Sequence, residues 1–120
     1  MAKGDFCHIG LFTTDPEKTK AFYESIFDWK FEMIPGFETY LMFTTPSGLG
    51  GGFDSGPDTE PPGCAGPILH IEVEDIDATL ARIIEAGGEM IAPMTKISDE
   101  FGSYAMFTDN VGNRMGIWSQ

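Results

Sequence analysis

Two stretches of alternating strand character, each running into a helix, constrain this chain more than anything else in it. Leu69-His70-Ile71-Glu72-Val73-Glu74 alternates apolar and polar residues, the pattern of a half-buried strand. Leu69, Ile71 and Val73 are expected to face a core, and His70, Glu72 and Glu74 to face away. The stretch passes through Asp75-Ile76-Asp77 into a helical pattern that closes at Gly87-Gly88. Cys7-His8-Ile9-Gly10-Leu11-Phe12 is built the same way and is followed by Asp15-Pro16 and another helical pattern. The chain has two histidines, one in each stretch.

In chain order, residues 6–13 read as a strand with Cys7, Ile9 and Leu11 on the core face, where the Cys7 thiol would be inert. Asp15 is a good N-cap, and Pro16 suits the first helical position. Thr19, Phe22, Tyr23 and Ile26 share one helix face. Strands follow at residues 29–34, 37–44 and 49–53, separated by Pro35-Gly36 and Pro46-Ser47-Gly48. Residues 54–67 hold four prolines and three glycines among fourteen positions, which is linker composition. The second half repeats the order. A strand at 68–74 leads to a helix whose face carries Ile76, Leu80, Ile83 and Ile84, with Gly87 at its C-terminus. Short strands follow at 89–91, 94–97, 103–108 and 114–118, the last two joined by a turn at Asn110-Val111-Gly112-Asn113.

The chain is therefore read as α+β, with two tandem βαβββ modules at residues 1–53 and 68–120 and a linker between them. Counting supports a duplication. His8 and His70 are 62 residues apart (70 − 8), and Phe43-Thr44 matches Phe107-Thr108 at 64 (107 − 43).

At 120 residues, with 42% hydrophobic content and a net charge of −12, the chain has material for a buried core. Its charge repels phosphate backbones and anionic lipid. Nucleic acid and membranes are not expected partners; a cationic small ligand, or simply solubility in a cytoplasmic setting, fits the acidity better. No apolar run approaches the roughly 20 residues of a membrane span, and the N-terminus lacks a signal-peptide core. Two cysteines, Cys7 and Cys64, make no disulfide framework, so reduced thiols in a cytoplasmic setting are expected.

Strand-His-helix, repeated, with the second half closing on Gly112-Asn113, resembles the vicinal oxygen chelate superfamily. That group includes glyoxalase I, extradiol dioxygenases, and fosfomycin- and bleomycin-resistance proteins. The matching pieces are Cys7-His8-Ile9 with Asp15-Pro16 and Phe22-Tyr23, Leu69-His70-Ile71 with Ala86-Gly87-Gly88, and the run from Phe107 to Asn113. The resemblance implies mixed sheets that curl together into a cup, and a homodimer. In metal-dependent members, ligands to a divalent ion come from the first and last strands of each module. His8 and His70 are taken as the first-strand positions. Four residues past the turn glycines Gly48 and Gly112, the last-strand positions are Gly52 and Gly116, where the glyoxalase pattern has carboxylates.

A catalytic divalent ion wants three or four fixed donors, and two histidines fall short of that. The expectation is a small-molecule binding protein without a tightly held metal or other cofactor, its pocket lined by His8, His70, Gly52, Gly116 and Trp118. Phe12 and Tyr40 are further candidates for an apolar floor. The alternative is a metal-dependent lyase, isomerase or dioxygenase using His8, His70 and Glu72 around a weakly held ion. There Glu72, on the face of His70, would act as base or third ligand. Arg114 is placed to pair with an anion or a nearby acid. Gly50-Gly51-Gly52 lacks the helix and the Lys-Ser/Thr pair of a phosphate loop, and its glycines instead make room for a close approach.

Overall fold

The computed structural model describes residues 2–56 and 67–120. Most of the expected linker, residues 57–66 with Cys64, lies outside them. The chain divides into two compact units, Met1–Pro61 and Pro62–Gln120.

The first unit runs β1 (Ile9–Phe12), α1 (Pro16–Ile26), β2 (Lys30–Ile34), β3 (Phe37–Thr44) and β4 (Gly50–Asp54). Its sheet has the order β1-β4-β3-β2. The outer pair β1·β4 is parallel and the others are antiparallel. The Asp15 carboxylate caps α1 by accepting from the Glu17 and Lys18 amides, with Pro16 pre-set for the first turn. The buried face of α1 is Thr19, Phe22 and Tyr23. It belongs to a core rich in aromatic rings. Tyr23 stacks on Trp29 at 4.8 Å, Trp29 on Phe43 at 4.7 Å, and Phe53 lies 5.2 Å from Tyr23. Each such ring contributes roughly 1.5–3 kcal/mol by burial. Thr13 and Thr19 share a buried hydroxyl–hydroxyl bond of 2.6 Å that ties the end of β1 to the helix.

The second unit runs β5 (Leu69–Glu72), α2 (Ile76–Glu85), β6 (Glu89–Ser98), β7 (Gly102–Thr108) and β8 (Arg114–Ser119). Its sheet order is β5-β8-β7-β6, with the β5·β8 pair parallel. Here the core is mainly aliphatic: Ile76, Leu80, Ile83, Met115 and Ile117, with Phe107. Asp75 caps α2 through the Ala78 amide. The helix ends in a Schellman motif. Gly87 takes φ +103°, its amide donates to Ile84, and that of Gly88 donates to Ile83. The turn into β8 is built around buried Asp109. Its Oδ1 accepts from the amides of Val111 and Asn113, and its Oδ2 accepts from the Asn113 side chain.

Both units are thus βαβββ. Three expectations are corrected. Cys7 is exposed, because β1 begins at Ile9 and alternation does not extend back to residue 7. Ile84 is 54% exposed and not part of the buried face of α2. The strands expected at 89–91 and 94–97 are one strand, β6, which carries Pro93 through shifts of register between Met90 and Thr95. Bulges admit a proline that an unbroken ladder would reject. No helix among the described residues is long and apolar enough to cross a membrane.

Candidate functional site

The candidate residues lie on the sheet faces turned away from each unit's helix. Along β5, Leu69 and Ile71 are half-buried while His70 and Glu72 are exposed, as alternation requires. Register places His70 beside Gly116 and Glu72 beside Trp118. In the first unit, Gly10 stands beside Gly52 and Phe12 beside Asp54. His8 is exposed and lies one residue before β1.

This register revises the match between the two histidines. Ile9 pairs with Gly51 as Leu69 pairs with Met115. The offset is 60 in the first strands (69 − 9) and 64 in the last (115 − 51). The helix caps agree, since Asp75 follows Asp15 by 60 (75 − 15). His8 therefore corresponds to Ile68, and His70 to Gly10. The two imidazoles do not occupy equivalent positions, and the second module has an apolar side chain where the first has His8.

The two glycines at the last-strand positions are sites of close approach. A Cβ on Gly116 would stand 2.5 Å from His70 Cδ2 and 2.6 Å from Nε2. The imidazole thus lies over the strand where a longer residue would project. His70 Nδ1 is 3.3 Å from the Ile68 carbonyl. A carbonyl only accepts, so in that bond Nδ1 is the donor.

On Gly52 the arrangement recurs with a different ring. A Cβ there would run into Cε2 and Cζ of Tyr40 and stand 2.7 Å from its hydroxyl. Tyr40 pairs with Asp54 in register, so its ring crosses β4 diagonally toward the first strand. There its hydroxyl meets His8 Nε2 at 2.6 Å. Burial, and then the Asp54 carboxylate, push the Tyr40 phenol above its ordinary value. It therefore keeps its proton at neutral pH, and its hydroxyl donates to Nε2 or accepts from it according to the imidazole tautomer.

The remaining candidates are held otherwise. Trp118 donates its indole N–H to the Phe101 carbonyl at 2.8 Å, which ties the ring to the β6–β7 turn. Glu72 is exposed. Arg114 pairs with Thr108 in register, and its buried Nε has no hydrogen-bond partner among the described residues.

These residues do not fit a tightly held divalent ion. Gly52, Gly116 and Ile68 bring no donor, rings fill the space over both glycines, and the Nε2 of His8 is engaged by Tyr40. Among the described residues, no three His, Cys, Asp or Glu side chains are grouped to hold a metal.

Comparison with known proteins agrees with this architecture. Residues 6–117 match the family model for the glyoxalase/bleomycin resistance protein/dioxygenase superfamily, and the chain belongs to that superfamily. CFP32 of Mycobacterium tuberculosis, a candidate glyoxylase by its name, is 31% identical over 115 residues. That match covers 92% of this chain and 43% of CFP32, so the chain spans less than half the length of this curated relative. Among solved structures, the fosfomycin resistance protein FosX of Listeria monocytogenes superposes with a TM-score of 0.76 at 20% identity, covering 99% of this chain and 95% of FosX. A glyoxalase/bleomycin resistance protein/dioxygenase family enzyme of Burkholderia phytofirmans gives 0.75 at 19% identity, covering 97% and 98%. Both share the fold.

Proposed function

We propose that this protein binds a small, positively charged molecule without a tightly held metal, on the sheet faces turned away from the helices. The observation that carries the reading is the pair of ring-over-glycine contacts, Tyr40 on Gly52 and His70 on Gly116. Each puts an aromatic side chain where a metal-dependent relative needs a carboxylate. Sheet faces with an imidazole and a phenol in one unit, and an imidazole and an indole in the other, but few fixed anionic donors, suit ligand binding more than Lewis-acid chemistry. The net charge of −12 favours a cation.

The same reading makes the protein a homodimer. The edge strand β6 exposes Met90, Met94 and Ile97, each close to half accessible, and an apolar edge of this kind gains from being covered. A free, exposed Cys7 thiol suits a reducing, cytoplasmic setting.

Elemental analysis of the protein purified without chelator tests the proposal. Substoichiometric divalent metal is expected. About one retained ion per chain, lost together with ligand binding on chelation, overturns it.

A further inference from the structure

The Tyr40–His8 pair has a geometry unlike ordinary ring stacking. The centroids are 6.0 Å apart and the planes differ by 14°. The hydroxyl meets Nε2 at 2.6 Å. A hydrogen bond joins ring edges, so the two rings lie side by side in nearly one plane, and neither covers the other's face. Together they form one flat surface larger than either ring.

Three features of the surrounding sheet give that surface room and sign. Gly52 has no Cβ, which lets Tyr40 lie close against β4. Gly10, the register partner of Gly52 on β1, is exposed, and a Cβ there would meet nothing within 4 Å. The space beside the rings is therefore open. The Asp54 carboxylate interacts with Tyr40 from the next position along the same face. Phe12 flanks Asp54 on the β1 side.

We propose that the Tyr40–His8 surface is a stacking platform for a flat, cationic aromatic ring. The ring would stack on the outward face of the Tyr40–His8 pair, beside the open space at Gly10, with its charge toward Asp54. The proposal rests on the metal-free binding reading above and names the class of ligand for the first module. Flat rings gain by stacking on aromatic faces, and a cation gains further from the ring quadrupole and a nearby carboxylate.

The test is a fluorescence titration of the full chain with proflavine, a flat aromatic cation, beside competition by tetraethylammonium, a cation with no flat face. Gly10→Leu puts a bulky side chain into the open space beside the rings, at a position where a Cβ meets nothing within 4 Å, and circular dichroism checks that the variant folds. Gly52→Ala displaces the Tyr40 ring. Proflavine is expected to bind the parent protein and to weaken about tenfold or more in each variant, the range of a lost stacking contact. Tetraethylammonium is expected to compete poorly. Absence of proflavine binding to the parent, or equal affinity in parent and Gly10→Leu, overturns the platform. If proflavine binding shows the expected losses in both variants but also requires a divalent ion, the platform stands and the metal-free reading falls.

Discussion

The imidazole of His70 rests on the backbone of Gly116, with its Nε2 2.6 Å from where a Cβ would stand. The two residues are register partners on adjacent parallel strands, and each explains the other. The ring can lie flat because the strand beneath it carries no side chain.

That contact separates two kinds of glycine. At Gly116 the obstacle is an exposed side chain that can rotate, so Gly116→Ala is expected to cost less than about 1 kcal/mol and to release His70 from the strand. At Gly51 an added Cβ meets the Ile9 carbonyl and the backbone around it, which cannot swing aside. Gly51→Ala is expected to lose about 3 kcal/mol or more, at or beyond the upper end of ordinary overpacking. Urea denaturation of both variants reads the difference. Similar losses at the two positions would contradict the assigned packing.

Asp109 is the polar residue on which the second module most depends. It is 4% exposed and holds Asn113, which is fully buried. Asp109→Ala removes the carboxylate that accepts from the Asn113 side chain and from the Val111 and Asn113 amides, and each lost partner of a buried donor costs about 1–3 kcal/mol. Asp75→Ala removes one exposed helix cap and is expected to cost about 1 kcal/mol. Chemical denaturation is expected to rank Asp109→Ala well below Asp75→Ala in stability.

Tyr40 supplies a pH dependence. Its pKa is raised in the folded chain by burial and by Asp54. The folded state therefore holds the proton more tightly than the unfolded state does. The resulting stability is fully present below the ordinary phenol value of about 10 and is lost as pH rises from there through the raised folded value. Tyr40→Phe is expected to remove this part of the alkaline loss. Thermal melts of parent and variant from pH 8 to 11 check it, and an unchanged alkaline slope would contradict it.

The β6 edge gives a prediction about assembly. Placing charge at Met94 or Ile97, which are 49% and 53% exposed, is expected to shift a dimer toward monomer with little effect on the fold. Light scattering coupled to size exclusion measures it.

Much of this molecule is legible in the sequence, and the failures have physical causes. Helix starts follow from Asp15-Pro16 and Asp75, whose carboxylates do cap. The ends of β3 fall at Phe37 and Thr44 as turn residues on both sides indicate. Matching the modules through their histidines misled, because two like residues need not be equivalent. Counting back from the caps would have shown that His8 stands seven residues before Asp15, as Ile68 stands seven before Asp75. The continuity of β6 was hidden by Pro93, since only the ladder shows where a bulge absorbs it. Tyr40 was visible as an aromatic strand residue, but its bond to His8 was not. The contact runs diagonally across β4 between residues 32 apart, and no periodicity along one strand carries it.

These strand faces carry rings where a metal site needs donors. A titration of the chelator-treated protein with Mn(II), followed by the electron paramagnetic resonance signal of the free ion, tests it most directly. The added ion is expected to stay free at micromolar concentrations, and His8→Ala is expected to change nothing. Capture of about one equivalent by the parent protein, abolished in His8→Ala, would contradict it.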